Sequence, residues 1–357
     1  YSWLEYKSFI QILSTIGTYS FNLLSITLFL LPVIVFFKIS HFSKILIIIL
    51  TLLSVSTNIY FGKIKISKYH KAQFTDLNTN IKVVSPAVDI GRFFQDEDPN
   101  IIIRELIELS EPEKTKKTLF IFPEGILPNT YLEDLNIYKE NFKNSFSEKH
   151  KIVLGVSTQS GLKVYNSLLV LDNNLNILSN YNKNKLVPFG EFLPFENTFS
   201  KFGLKKVTQG YQSFSADYNR KIIEINNIKF LPLICYEIIY TGYLNNNGDD
   251  FDFILNISED GWFGNSIGPY QHFSHSIFRS IEEGKNLIRS ANNGISAHIN
   301  PLGQIVKKIE STEKGTFEIK KFKKISRTIF SQHGNKIFFY FLVFYISLIF
   351  FLKKKGS

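Results

Sequence analysis

Three long apolar stretches interrupt an otherwise mixed pattern of polar and apolar positions. Residues 19–37, 45–61 and 337–352 are runs of nineteen, seventeen and sixteen residues without a charged side chain. A transmembrane helix needs about 20 predominantly apolar residues. The first two runs, joined by a short connection that carries two lysines and a histidine, therefore predict a transmembrane hairpin. The third run, closed by three lysines, predicts a single span. A buried core helix is the alternative for each.

Between these stretches, short apolar runs alternate with polar loops. Runs of this length predict buried strands, and they occur at 81–84, 119–122, 152–156, 167–171, 228–234, 253–257 and 294–299. Two amphipathic stretches, 100–110 and 270–283, carry apolar residues at helical spacing. This mixture predicts an α/β layered domain. The hairpin-like pair at 221–231 predicts sheets that are mixed rather than wholly parallel.

The pattern divides the chain into three parts. We expect a transmembrane hairpin at 1–69, one soluble domain at 70–332 that is long enough to form an enzyme domain, and a C-terminal transmembrane helix with a basic tail at 333–357. Lysines follow the second run and also stand in the connection between the two runs, so the positive-inside rule leaves the orientation open. The chain contains no methionine, position 1 included. We therefore expect it to be part of a longer protein with further spans before these.

Composition argues against two classes of function. The chain carries 41 Lys and Arg against 31 Asp and Glu, a net charge of +10. Its lysines are dispersed and form no basic face with interleaved aromatic residues, which does not favour nucleic-acid binding. The single cysteine, Cys235, excludes an intrachain disulfide and a cysteine-based metal cluster.

Three candidate catalytic residues stand near predicted strand ends or turns. Cys235 follows the run 228–234, Glu124 follows the run 119–122, and Lys183 lies beside a turn rich in Pro and Gly. A thiol that attacks an ester needs a carboxylate to take its proton and a positive group to stabilise the oxyanion. Each residue alone also fits a non-catalytic position, as a core cysteine, a turn glutamate or a solvated loop lysine.

Several strings in the 70–332 region carry a family resemblance. The strings FPEG at 122–125, YNK at 181–183 with LVPFGE at 186–191, and ICYE at 234–237 resemble, in order, the signature elements of the nitrilase, or carbon-nitrogen hydrolase, superfamily. Three further strings resemble its branch of bacterial apolipoprotein N-acyltransferases: SEDGWFG at 258–264, GPYQHF at 268–273 and RSANNG at 289–294. The flanking apolar stretches match the plan of that branch.

The resemblance implies a fold and a catalytic triad. The fold is a nitrilase-like four-layer α-β-β-α sandwich flanked by transmembrane helices. The implied triad consists of Glu124 as general base, Lys183 as the cation at the oxyanion, and Cys235 as nucleophile. Glu191 resembles an additional glutamate of the family, which keeps Lys183 charged and helps to place the transferred proton.

Two residues directly after the nucleophile have supporting roles by the same resemblance. The backbone N–H of Tyr236 is implied as a second oxyanion donor, because a strand-to-helix turn aims such groups at the reacting carbonyl. Glu237 completes the matching string as a further supporting residue.

The resemblance also implies a ping-pong acyl transfer. A membrane phospholipid donates a fatty acyl group to Cys235 as a thioester, and the α-amine of the amino-terminal diacylglyceryl-cysteine of an apolipoprotein takes it as an amide. Neither a metal nor an organic cofactor is required. We expect a monomer in the bacterial inner membrane, with the catalytic domain on the periplasmic face.

An aromatic segment follows the lysine motif. It contains five phenylalanines between residues 189 and 202, an enrichment that is typical of a lipid-facing arm or groove cover. We expect this role for Phe189, Phe192 and Phe195, and a pocket wall at Trp262 and Phe263. Local core packing is the alternative for all of them.

The chain departs from the family pattern in two places. The first strand leads to Ser85, Pro86 and Ala87 instead of the usual Gln-x-Asn, and Phe122 stands where Trp often precedes the Pro-Glu pair. Both changes leave the implied triad intact. They remove the basis for assigning a substrate contact to the first strand end.

Other functions remain open. A membrane-tethered nitrilase-type amidase or hydrolase would use the same triad with water as the second nucleophile. A non-catalytic membrane protein would place the three candidates more than ~10 Å apart, because catalysis requires near contact. His272 and His275 stand three apart on a predicted helix without a third ligand at metal spacing, so we expect no metal site.

Overall fold

Two six-stranded sheets lie face to face, and helices cover their outer faces. The computed structural model describes residues 2–95, 98–128, 130–195, 213–242, 244 and 250–355. Both sheets are mixed, as the hairpin-like pattern predicts. The arrangement confirms the predicted α/β class.

The first sheet has a parallel centre and antiparallel edges. Its centre consists of β1 (Thr75–Ser85), β2 (Thr118–Ile121) and β3 (His150–Ser160). The antiparallel strands are β4 (Lys163–Leu171), β5 (Ile177–Asn182) and β12 (Gly315–Phe322), in the sheet order β12-β1-β2-β3-β4-β5. Strands β2 and β5 therefore run in the same direction, and their carboxyl ends lie at the same edge.

The second sheet repeats this plan. Its parallel centre consists of β7 (Ile228–Ile234), β8 (Phe253–Glu259) and β9 (Asn286–Asn292). The antiparallel strands are β6 (Ile223–Ile225), β10 (Ser296–Ile299) and β11 (Ile305–Ile309), in the order β11-β10-β9-β8-β7-β6. The apolar run of β7 matches a strand covered on both faces.

Apolar clusters separate four layers. Between the sheets, Ile121 and Val153 of the first join a cluster with Phe230 and Ile257 of the second. The other face of the first sheet is covered by α3 (Pro99–Ser110) and α4 (Lys139–Ser145). The other face of the second sheet is covered by α5 (Gly268–Glu283). The predicted α-β-β-α order is confirmed.

Local sequence accounts for α3. The Asp98 carboxylate accepts a hydrogen bond of 2.9 Å from the Asn100 backbone N–H, which caps the helix, and Pro99 occupies its first turn. Ile102 and Leu106, one turn apart, are both buried against the first sheet. The capping aspartate and the proline therefore account for the start of this helix, and the amphipathic pattern accounts for its buried face.

The long apolar helices lie at the two ends of the chain. Phe9–Phe36, which includes α1 (Leu13–Leu30), and α2 (His41–Lys71) are long and apolar enough to cross a membrane. After the short α6 (Ile329–His333), a third apolar helix, α7 (Lys336–Lys355), packs beside α1. Thr27 Oγ1 and Tyr345 Oη lie 2.6 Å apart between these two helices.

Candidate active site

Cys235 begins a tight turn at the end of a buried strand. The apolar run of β7 stops at Cys235, where a 3-10 turn spans Cys235–Ile239. The Cys235 backbone lies in the left-handed region, with φ of 50°. A non-glycine residue held in that region costs about 1–3 kcal/mol, and such strain concentrates at functional sites. The turn places Cys235, a half-buried residue, at the carboxyl end of the strand.

Glu124 and Lys183 follow strands of the first sheet and contact each other. Glu124 comes shortly after β2, and Lys183 comes directly after β5. The Lys183 Nζ lies 3.3 Å from Glu124 Oε1, and both side chains are buried. This contact brings together two of the three predicted residues at the common edge of their strands. It is far shorter than the separation expected of a non-catalytic protein.

Glu191 lies on the other side of the lysine. Its Oε1 is 2.8 Å from Lys183 Nζ, and its Oε2 accepts the backbone N–H of Val187 at 2.9 Å. Asn166, in β4, donates to Glu124 Oε1 at 2.7 Å and to Glu191 Oε1 at 2.8 Å. One ammonium and one amide thus hold two buried carboxylates together. No motif in the sequence marks Asn166 for this position.

The charges around the thiol define its protonation. Burial alone would lower the pKa of the Lys183 ammonium, but the Glu124 and Glu191 carboxylates raise it well above its usual value. Burial raises the pKa of the Cys235 thiol above its usual range, the Glu124 carboxylate adds to the rise, and Lys183 opposes it. At neutral pH the site therefore contains a neutral thiol and a cationic lysine.

An ion pair between Arg92 and Glu259 holds the loop that carries Glu124. The backbone N–H of Glu259 donates to Glu124 Oε2 at 3.0 Å. Arg92 pairs with the Glu259 carboxylate and donates to the carbonyls of Gly125 and Ile126, at 3.2 and 3.1 Å. Sequence reasoning missed Arg92, which lies seven residues after the divergent first strand end at Ser85.

Glu237 joins the nucleophile turn to the lysine motif. Its Oε1 accepts hydrogen bonds from the Tyr181 hydroxyl at 2.8 Å and from the backbone N–H of Asn184 at 2.8 Å. Its Oε2 accepts the backbone N–H of Ile234 at 2.8 Å. The side chain is fully buried. Glu237 therefore holds the residues next to Lys183 against the residues next to Cys235.

We expect Glu237→Gln to lower the thermal unfolding midpoint. A carboxamide has only one accepting oxygen, so at least one of these buried donors loses its partner, at a cost of about 1–3 kcal/mol. The matched control is Glu224→Gln, because Glu224 forms an exposed ion pair with Lys229 and should change the midpoint little. Equal midpoints for the two variants would contradict the role of Glu237 as a brace.

The predicted aromatic residues occupy different surroundings. Phe189 and Phe195 are exposed, and Phe192 lines a surface cavity of about 360 Å³ beside the lysine motif. Trp262 stacks on Phe93 with ring centroids 5.2 Å apart, and Phe263 contacts His272 at 5.5 Å. Phe199 and Phe202 lie outside the described residues.

A family model and sequence relatives match the chain. The model for carbon-nitrogen hydrolases matches residues 105–320. Apolipoprotein N-acyltransferase of Rickettsia prowazekii (strain Madrid E) is 32% identical over 356 residues, which cover 96% of this chain and 70% of that protein. Apolipoprotein N-acyltransferase of Rhizobium leguminosarum bv. trifolii (strain WSM2304) is 33% identical over 247 residues, covering 66% of this chain and 46% of that protein.

A solved structure is also similar. A CN-hydrolase superfamily protein from Xanthomonas campestris superimposes with a TM-score of 0.48 and 17% identity, covering 74% of this chain and 97% of that one. The family match and the relatives establish the class as an enzyme of the carbon-nitrogen hydrolase type. The chain belongs to the apolipoprotein N-acyltransferase branch of the carbon-nitrogen hydrolase family.

Proposed function

We propose that the protein transfers a fatty acyl group from a membrane phospholipid to the α-amine of the amino-terminal diacylglyceryl-cysteine of an apolipoprotein. The observation that carries this proposal is the buried cluster in which Lys183 lies between Glu124 and Glu191, with its charge acting on the Cys235 thiol. The names of the relatives support the acyl acceptor.

In the first half-reaction, the Cys235 sulfur attacks the carbonyl carbon of a phospholipid ester. Glu124 takes the thiol proton, and the oxyanion forms beside the Lys183 ammonium and the backbone N–H of Tyr236. The N–H groups in the first turn of a helix have no partner within that turn, so they are suited to this task. Collapse of the intermediate breaks the ester bond. The departing lysophospholipid oxygen takes the proton from Glu124, and the acyl group stays on sulfur.

In the second half-reaction, the acceptor amine attacks the thioester carbonyl. Glu124 accepts a proton from the amine, and the same oxyanion donors stabilise the second tetrahedral intermediate. The carbon–sulfur bond breaks, the thiolate regains a proton from Glu124, and the amide product leaves. Glu191 keeps Lys183 charged through both steps.

The apolar parts of the molecule suit lipid substrates. The helices α1, α2 and α7 would hold residues 70–332 at the bilayer, and the exposed Phe189 and Phe195 would contact lipid. A site at the interface avoids moving acyl chains into water, which costs about 0.8 kcal/mol per CH₂. We place the protein in the bacterial inner membrane with this domain on the periplasmic face.

The proposal predicts an acyl adduct on Cys235. After incubation of the purified full chain with phospholipid vesicles, mass spectrometry should detect a hydroxylamine-sensitive acyl group on the peptide that contains Cys235. Cys235→Ala should carry no adduct. An adduct that survives Cys235→Ala, or none on the parent protein, would reject the thioester mechanism.

A second addition separates acyl transfer from hydrolysis. A diacylated lipopeptide with a free amino terminus should discharge the adduct and appear as the N-acylated amide. The same lipopeptide with an acetylated amino terminus is the matched control and should leave the thioester in place. Release of free fatty acid without amide would favour the membrane-anchored hydrolase instead.

A further inference from the structure

A buried charged cluster lies directly behind the nucleophile turn. Its centre is Asp260, whose carboxylate accepts hydrogen bonds from the Ser258 hydroxyl at 2.7 Å and from Arg289 Nη2 at 2.7 Å. His272 Nδ1 lies 2.9 Å from Asp260 Oδ1. All four side chains are buried. These residues come from three of the strings described above, at 258–264, 268–273 and 289–294, and the proposed mechanism uses none of them.

The cluster reaches Cys235 at two different atoms. Burial raises the pKa of the Cys235 thiol, and the Ser258 side chain opposes that rise, so Ser258 acts directly on the thiol. His272 Nε2 lies 3.2 Å from the Cys235 carbonyl oxygen. Because a carbonyl oxygen can only accept, Nε2 must carry the hydrogen and donate it. Asp260 thus connects to the nucleophile through its thiol on one side and through its backbone on the other.

A third connection runs through an asparagine. Arg289 donates to the side-chain oxygen of Asn256, and Asn256 Nδ2 donates to the carbonyls of Cys235 and Leu233, at 3.4 and 3.2 Å. The carbonyl of Cys235 therefore has two side-chain donors, from β8 and from α5. His272 contacts Asp260 directly, and Asn256 is held by Arg289, which also contacts Asp260.

The strained backbone of Cys235 explains why such support is useful. With φ of 50°, Cys235 would relax toward the ordinary helical or extended region if its carbonyl were released. A shift of about 1 Å in a reacting atom can cost about 100-fold in rate. Burial opposes the charge of Asp260, but Arg289 and His272 outweigh it and hold the pKa of the Asp260 carboxyl below its usual value. The cluster is therefore a fixed, charged support at neutral pH.

We propose that Asp260 and His272 are positioning residues for Cys235: they hold the left-handed turn and the thiol in the orientation needed for attack. This inference rests on the proposed role of Cys235 as nucleophile. Their effect passes through the hydrogen bonds to the Cys235 backbone and, by way of Ser258, to its sulfur.

The test compares two amides at position 272. In glutamine the side-chain nitrogen is as far from Cα as His Nε2, so His272→Gln keeps the donor to the Cys235 carbonyl. In asparagine the nitrogen corresponds to Nδ1, so His272→Asn keeps the Asp260 contact and loses the carbonyl donor. A p-nitrophenyl ester of a short fatty acid serves as the probe, because acylation of the single thiol releases p-nitrophenol in a burst.

We expect His272→Gln to retain the burst rate constant within about 3-fold and His272→Asn to lower it about 10-fold, the effect of one hydrogen bond. The ester concentration at half-saturation should stay unchanged, because positioning affects the chemical step and not binding. Equal burst rates in the two variants, or a change confined to half-saturation, would overturn the proposal. Cys235→Ala provides the background rate.

A second pair of variants covers the case in which His272→Asn does not fold. Ser258→Ala removes the hydroxyl next to the thiol and should slow the burst. Ser280→Ala removes an equally buried hydroxyl, which donates within α5 to the Ile277 carbonyl at 2.8 Å, and should keep the parent rate. Equal rates for these two would also overturn the proposal.

The burst assay separates this inference from the function on which it rests. It needs an oriented thiol but neither phospholipid nor lipoprotein. A Gln–Asn difference in the burst, together with no phospholipid-derived adduct on Cys235, would uphold the positioning cluster and reject the acyl donor proposed above. A phospholipid adduct without that difference would uphold the donor and reject the cluster.

Discussion

Glu124→Gln is expected to lower the rate of Cys235 acylation by about 10²- to 10⁴-fold, the usual contribution of a general base. The amide has nearly the same shape and can still accept from Lys183 and Asn166, which contact Glu124 Oε1. It cannot take the thiol proton. The measurement is the rate of thioester formation from phospholipid, by rapid quench and mass spectrometry. Glu105→Gln, which alters an exposed pair with Lys314, is the control and should keep the parent rate.

The same variant should make the thiol more acidic while it makes the enzyme slower. A negative charge beside a thiol disfavours the thiolate, and the Glu124 carboxylate contributes to the raised pKa of Cys235. Removing that charge should therefore move the midpoint of the pH profile for Cys235 alkylation to lower pH. A general disruption of the site would have no reason to produce these opposite changes. A parent-like acylation rate, or a midpoint that moves upward, would contradict the assignment of Glu124 as base.

Continuous apolar runs made part of the fold predictable. The run 228–234 predicts β7 with its observed bounds, because the residues from Phe230 to Ile234 are all apolar and buried, as in a strand covered on both faces, and only Lys229 near the start is exposed. Polar residues at the ends of such runs are also visible in the sequence. For this reason the sequence alone predicts that Cys235 and Glu124 lie close to strand ends.

The strand β9 shows where this reasoning fails. Asn286–Asn292 contains two asparagines, an arginine and a serine, and only the pair Leu287 and Ile288 near its start is typical of a strand. All seven residues are nevertheless buried, and three of their polar side chains have partners elsewhere: Arg289 pairs with Asp260, Ser290 donates to the Val84 carbonyl of β1, and Asn292 donates to Glu259 of β8. The hydrogen bonds that allow these polar residues to be buried come from partners distant in the sequence, and a local pattern does not show such partners.

The local sequence also does not predict the buried surroundings of Lys183. A lysine in a Pro- and Gly-rich segment is normally solvated, and only the family resemblance singled it out. Its burial depends on Glu124, 59 residues earlier, and on Asn166, which holds both carboxylates in place. The support of Cys235 by His272 is a similar case, since the two residues are 37 positions apart. Motif order predicts the proposed reacting groups, whereas the contacts around them depend on packing between distant segments.

Lys183→Met is expected to have the second large effect, and it should act on both stability and rate. Methionine has a similar length but no charge, so Glu124 and Glu191 would face each other without the cation that lies 3.3 and 2.8 Å from them. Removing one partner from a buried ionic cluster costs about 3–5 kcal/mol of unfolding free energy. Loss of the oxyanion cation should lower the acylation rate by at least about 10²-fold. Lys163→Met, at an exposed position in β4, is the control.

A double variant separates these two effects. In Lys183→Met with Glu191→Gln, only one carboxylate remains in the site, so much of the lost stability should return, while the rate should stay low because no cation stabilises the oxyanion. Unfolding midpoints measured beside acylation rates test both points. Recovery of the rate together with the stability would show that Lys183 serves the fold and not the reaction.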